Sequence, residues 1–354
     1  MLRFVLAISV LFILYSTSAQ TLGGNSAYNF LRFPASPQTA AAGGINLSSK
    51  TNDLSAAFSN PAQLDSAMHS QMAANFNSLY AGVKNVHWMI AYRHPALKTN
   101  FAASVFYFDY GNTVQTDASG NILGSYKPRD FAVQLLASRE YMNRWKYGLS
   151  LKFLSSNYGV YRSSAVAADV AVLYKDTASF LQVSVAAVNM GGQLRRYNSS
   201  EPEELPFDVQ VGISKRLSKA PIQFSLTAHH LHLFHLNYND TLFNNENGIA
   251  NSSDKKFTID KLFRHFVFST QIVIGQRVEI TAGYNYLRGK ELRIYNSANG
   301  LTGFSFGVGM LLPKMQLRYA RTQLQNNISY NQLGLNIPLN KYFGLGNWGE
   351  RAGW

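Results

Sequence analysis

The sequence contains no cysteine, so neither a disulfide framework nor thiolate chemistry is open to it. A lipid anchor on a mature N-terminal cysteine is excluded for the same reason. Charge is scarce: Asp, Glu, Lys and Arg make up 14% of 354 residues, against about 25% in ordinary soluble domains. The most apolar stretch, residues 4–15, falls short of the roughly 18 residues that a membrane-crossing helix needs. Walker and HExxH patterns are missing, and no catalytic, cofactor-binding or metal-binding residue is assigned. Aromatic residues, by contrast, are plentiful, with 20 Tyr and 23 Phe. Little water-facing surface and many interfacial residues describe a chain that meets lipid.

Residues 145–155, WKYGLSLKFLS, show how it does so. Trp145, Tyr147, Leu149, Leu151 and Phe153 fall on one side of an extended strand, and Lys146, Gly148, Ser150 and Lys152 on the other. A helix would mix these residues around its circumference. The two lysines exclude a dry core on their side, so the pattern fits a strand with lipid outside and water or polar groups inside.

The same alternation recurs in segments near residues 88–92, 131–137, 166–174, 181–187, 207–213, 222–228, 266–272, 278–286, 304–310, 315–319 and 333–337. Weaker strands lie at 71–80 and 99–109. Together with 145–155 these make 14, an even number, as single-chain bacterial barrels have. Short connections such as 94–100, 141–144 and 175–179 alternate with several long ones: 111–128, 191–204, 237–262 and 289–300. The expected fold is therefore all-β, a transmembrane antiparallel up-and-down barrel with short periplasmic turns and long extracellular loops.

Residues 1–19 read as a secretory signal peptide, with Arg3 as the positive region and Thr17 and Ala19 before a cleavage at Gln20. Residues 20–354 form the barrel unit. Within it 20–66 are small and polar, a segment expected in or under the barrel, and 67–340 carry the strands.

The most specific local signal is residues 52–64, NDLSAAFSNPAQL. Pro61 has no N–H and pushes Asn60 out of helical geometry, so a turn into the wall is expected there. With Asn60, Pro61 and Ala62 this segment resembles the N-terminal motif of FadL-like outer-membrane barrels. The opening LGGNSAYNFLRFPASPQTAAAGG narrows the likeness to the PorV–PorQ family of the type IX secretion system. The run NSAYNFLRF followed by AAAGG looks closer to its PorQ branch. That resemblance implies 14 strands, an outer-membrane location with both termini periplasmic, and no enzymatic role. It also implies a surface partner of PorZ type, with PorU and PorV in the same attachment complex and lipopolysaccharide nearby. The alternatives are a PorV-like shuttle of secreted cargo and, for the wider FadL-like group, a transporter of hydrophobic small molecules. The lumen faces read here are mostly Gln, Ser, Thr, Asn and Gly, which argues against a greasy path.

Other residues have a bland reading beside a chemical one. His229, His230, His232 and His235 in HHLHLFH resemble a metal cluster, with His230 and His232 on one strand face. The outward phase shifts there, from even positions through Ala228 to Leu231 and Leu233, so a bulge or an exit from lipid is the preferred reading. Asp169, Asp208 and Glu279 are lumen acids, expected to pair with bases such as Lys146, Lys152 and Arg318 rather than to catalyse. Gly43-Gly44 and Gly191-Gly192 read as turns. GFSFGVG, residues 303–309, places glycine on the lumen face, giving room for an inserted N-terminal segment. Arg195, Arg196, Lys255 and Lys256 sit in loops and are candidate partner contacts. The net charge of +13 is scattered rather than gathered on a helix, so anionic lipid fits better than nucleic acid.

Overall fold

The computed structural model describes residues 26–198, 202–233, 236, 258–275, 277–292, 300–325 and 328–343. The signal-like stretch, His235, Lys255 and Lys256 lie outside them.

Fourteen antiparallel strands close into a barrel in the order β1-β2-β3-β6-β7-β8-β9-β10-β11-β12-β13-β14-β15-β16, with β16 returning to β1. The strands are β1 (Gln71–Ser78), β2 (Lys84–His94), β3 (Thr99–Asp109), β6 (Arg129–Tyr141), β7 (Trp145–Tyr158) and β8 (Tyr161–Asp176). They continue as β9 (Leu181–Arg195), β10 (Asp208–Arg216), β11 (Ile222–Ala228), β12 (Phe266–Ile274) and β13 (Val278–Asn285). Last come β14 (Phe304–Leu311), β15 (Gln316–Gln325) and β16 (Ile328–Pro338). Each expected strand segment coincides with one of these. The added β4 (Thr113–Thr116) and β5 (Ile122–Tyr126) form a separate hairpin in the long connection after β3. No described helix is long and apolar enough to cross a membrane; the wall crosses with strands.

Alternation along β7 is borne out. Leu149, Leu151 and Phe153 are exposed on the outside, Leu151 at 68%, whereas Lys146, Ser150 and Lys152 are buried inside. Leu135, Val172, Ile213, Phe224, Ile280, Phe306 and Leu333 extend the apolar exterior around the barrel. So much contiguous apolar surface is unsupportable in water and matches a lipid belt. Trp145 stacks near Tyr174 at 4.8 Å, placing aromatic rings at the short-turn rim.

The wall is uneven in height. β6 to β9 run for 13, 14, 16 and 15 residues, more than the roughly 9–11 needed to span lipid. β10 to β14 run for only 7–9. This height corrects two sequence expectations. Gly191-Gly192 is no turn but lies inside β9, and Arg195 closes that strand rather than sitting in a loop. At Gly191 a Cβ would collide with the Val166 carbonyl of β8, so the close approach of two backbones requires glycine there.

Residues 26–70 fill the lumen. They fold as a chain of short helices: Asn29–Arg32, Pro37–Ala41, Leu54–Phe58, Pro61–Gln63 and Ser66–Met68. Four have a polar N-cap side chain, from Ser36, Asp53, Asn60 and Asp65. Such caps satisfy first-turn N–H groups, which at Ser36, Asp53 and Asn60 are buried from water.

Candidate functional site

The caps of the plug also fasten it to the wall. Asn60 is fully buried. Its Oδ1 accepts from the Ala62 N–H at 3.0 Å, while its Nδ2 donates to the Leu47 carbonyl at 2.7 Å and to Ser184 Oγ on β9 at 2.9 Å. Pro61 holds the turn that follows, and its carbonyl lies where a Cβ on Gly148 of β7 would be. Asn60, Pro61 and Ala62 therefore act as a docking turn seated on a bare stretch of strand. Asp53 accepts from Asn336 of β16 at 3.0 Å. Asp65 pairs with Lys146. Lys146 is thus spoken for by the plug, not by Asp169 as its position on β7 had implied.

Glycine recurs where plug backbone comes closest to the wall. A Cβ on Gly283 would overlap the backbone of Ala42 and Gly43, one on Gly307 the Ala41 methyl, and one on Gly334 the ring of Pro37. Of the room expected from the GFSFGVG segment, that at Gly307 is occupied by the helix Pro37–Ala41, while Gly303 faces Gly289 and Gly309 faces Arg318 and Glu279. Wall amides and hydroxyls satisfy the plug's backbone. Asn75 donates to the Ala35 carbonyl at 2.8 Å, Gln134 to that of Phe58 at 3.2 Å and Ser138 to that of Leu64 at 3.0 Å. Ser48 meets Ser214 Oγ to Oγ at 2.7 Å. The polar lumen faces are thus explained, because buried peptide groups need partners.

The lumen also has an aromatic layer that alternation alone did not reveal. Phe30 and Phe58 of the plug meet Phe106 and Phe108 on the inner face of β3, with Phe58 and Phe106 centroids 5.1 Å apart. This apolar inner face is why β3 read as a weak strand. Lys152 lies 5.2 Å from the Phe58 ring and donates to Asp169 and to Asn189 Oδ1 at 2.8 Å. Glu279 pairs with Arg318 at 3.7 Å, as expected for lumen charges.

What remains empty is divided. A cavity of about 430 Å³ opens at the short-turn end among Lys50, Gln223, Gln271, Glu279 and Arg318. Midway, about 90 Å³ lies beside Arg32, Lys152, Asp208 and His230. At the long-loop end, about 370 Å³ is lined by Tyr28, Tyr110, Asp130, Tyr158, Tyr161 and Tyr197. Tyr110 and Tyr158 both donate to Asp130 Oδ2, at 2.6 and 2.8 Å. Arg195 and Arg196 are exposed next to Tyr197 on this rim. These tyrosines come from four separate chain segments, so no spacing in the sequence announces them.

Asp208 accepts from Gln210 Nε2 at 2.8 Å and from the His230 backbone N–H at 2.6 Å. β11 ends at Ala228, so His230 and His232 do not share a strand face as expected. His230 adopts φ 54°, and this left-handed step turns its ring toward that of His229, at a centroid distance of 4.6 Å. Burial, then the nearby His265 and Arg32, lower the His229 pKa to about 3; burial and His229 lower that of His230 to about 2. Both imidazoles are neutral at pH 7.

Among solved structures the barrel resembles the TodX monoaromatic hydrocarbon channel, in a deltaS2 mutant, with TM-score 0.50 and 12% identity over 86% of this chain and 98% of that one. In fold, the chain is similar to TodX. The expected closed barrel of 14 antiparallel strands is therefore met. A Pseudomonas aeruginosa FadL homologue aligns over 86% of this chain and 98% of its own at 10% identity and TM-score 0.48. No sequence family matches the chain, and no curated protein does.

Proposed function

We propose that this protein is a plugged, non-enzymatic barrel of the bacterial outer membrane that holds a cell-surface complex by its long-loop end. In this reading residues 1–19 are a cleaved signal and both mature termini face the periplasm. The resemblance to PorQ supplies the system: type IX secretion, with a PorZ-type surface partner alongside PorU and PorV. The observation that carries the reading is the docked plug. Residues 26–70 leave a mid-lumen cavity of only about 90 Å³, too small to be a path for hydrophobic cargo. A rigid scaffold with loops to display is what a docking protein needs. The aromatic rim of Tyr110, Tyr158, Tyr161 and Tyr197 beside Arg195 and Arg196 has the Tyr and Arg composition of interface hot spots.

The test is a pull-down of the barrel from detergent-solubilised native membranes, read by mass spectrometry. A large soluble surface protein of PorZ type should be recovered with it. Recovery with translocon and cargo would favour the PorV-like shuttle, and recovery of the barrel alone would contradict docking.

Transport of hydrophobic small molecules is the second reading. It is favoured by the fold likeness to a hydrocarbon channel and by an outer-wall groove of about 570 Å³ among Phe224, Leu226, Phe268, Tyr284, Phe304 and Phe306. Unchanged uptake of long-chain fatty acids and aromatic hydrocarbons in a deletion strain would exclude it.

A further inference from the structure

We infer that Asp208, His229 and His230 form a transition-metal site inside the lumen, where β10 begins and β11 ends. One ligand atom from each residue lies within 4.8 Å of the others. The Nδ1 atoms of His229 and His230 face each other. Between two neutral imidazoles such a pairing is met either by a single shared proton or by a cation that both lone pairs bind. His229 is 1% exposed, so a ring lone pair there that met neither a proton nor a cation would be a buried polar atom left bare, which is costly.

The surroundings are built for ligation. In a regular strand, neighbouring side chains point to opposite faces. The φ of 54° at His230 removes that alternation and brings two consecutive histidines to one point, and backbone strain of this kind gathers where geometry is needed for function. Gln210 and the His230 N–H orient the Asp208 carboxylate. His229 is held from both sides by His265: its N–H donates to the His265 carbonyl at 2.9 Å, and its carbonyl lies 2.9 Å from His265 Nδ1. Supporting bonds of this sort are what fix metal ligands in register. A further imidazole is close, with His232 Nδ1 3.7 Å from Asp208 Oδ1.

Arg32 lies near these groups and repels a cation. That selects the ion. A hard cation held by charge alone, Ca²⁺ or Mg²⁺, prefers an all-oxygen set and is disfavoured here. Zn²⁺, Ni²⁺ or Cu²⁺ gains from imidazole coordination and fits two or three nitrogens with one carboxylate.

The full-length barrel, purified in detergent with a tag that contains no histidine, is titrated with ZnCl₂ by calorimetry. One equivalent binds, and His229→Ala or His230→Ala weakens binding at least tenfold, while His94→Ala at the short-turn end leaves it unchanged. MgCl₂ gives no saturable heat. As a check that does not depend on variants folding, CoCl₂ added to the wild-type protein gives the intense visible bands of a low-coordinate nitrogen and oxygen site, and ZnCl₂ abolishes them. Wild-type binding no tighter than that of folded His229→Ala or His230→Ala protein, or the absence of those cobalt bands, would overturn the assignment.

Discussion

Replacing Asp169 with Asn tests how the interior charges are held. Asp169 is completely buried where β8 and β9 slip register between Ala168 and Val170. Its carboxylate accepts from Lys152 Nζ at 2.8 Å, from Ser150 Oγ at 2.6 Å, from the Asn189 N–H at 2.7 Å and from Gln134 Nε2 at 3.3 Å. Asn keeps the shape but removes the charge and turns one acceptor into a donor among donors. Lys152 would retain only Asn189 Oδ1 and the face of Phe58. Breaking a buried pair by removing one partner costs about 3–5 kcal/mol, a large part of the roughly 5–15 kcal/mol that holds a domain together. The double change Lys152→Met with Asp169→Asn leaves neither charge of this pair behind and should cost less than Asp169→Asn alone. Urea unfolding of the detergent-folded barrel, followed by tryptophan fluorescence, measures all three proteins. The reasoning fails if Asp169→Asn lies within about 1 kcal/mol of wild type, below the range set by this mechanism, or if the double variant is the least stable.

Further outcomes follow from the plug, the belt and the loops. Asn60→Ala strands the Leu47 carbonyl and the Ala62 N–H, each worth about 1–3 kcal/mol when buried; protease should then cleave within residues 26–70 of an otherwise folded barrel. Gly148→Val puts a side chain where Pro61 sits and should loosen the plug in the same assay, whereas Gly192→Ala, in open space on β9, should leave plug protection intact. Leu151→Arg places a charge on the lipid face mid-strand and should cost about 2–4 kcal/mol in bilayer-folded protein, with no such cost if that face meets water. In the long-loop end, hydrogen bonds from Tyr286, then Lys290 and Arg264, hold Asp260 at about 2. Because the carboxyl pKa is depressed on folding, this tie is present above the unfolded value near 4. It is lost as pH falls through about 2. Hydrogen exchange of residues 259–263 should quicken across that window in wild type, and not in Asp260→Asn.

Sequence and structure agree most closely where lipid dictates the pattern. Leu149, Leu151 and Phe153 must face outward whatever the barrel encloses, so each strand segment could be read from alternation alone. Inside, the plug dictates the residues, and its position is not written in any periodicity. Phe106 and Phe108 face inward because Phe30 and Phe58 are there. Lys146 serves Asp65, distant in sequence, instead of the acid on its neighbouring strand. The lumen glycines were legible as room, but only the structure shows which segment fills each space. Convergence of His229, His230 and Asp208 depends on one left-handed residue and on β10 beside β11, and neither leaves a signature in the spacing of HHLHLFH. The hairpin of β4 and β5 was missed because its strands are only 4 and 5 residues long, too short for alternation to register.

The docked plug is the claim on which the proposed scaffold role rests, and one cross-link tests it most directly. The chain has no cysteine of its own, so Ser48→Cys with Ser214→Cys introduces a single pair, one residue on the plug and one on β10. Their hydroxyl oxygens lie 2.7 Å apart, within reach of a disulfide. Mild oxidation of the folded barrel should join them nearly completely, seen as a cross-linked peptide by mass spectrometry and as a shift on a non-reducing gel. Free thiols on both residues after oxidation, in a barrel that remains folded, would contradict the plugged lumen.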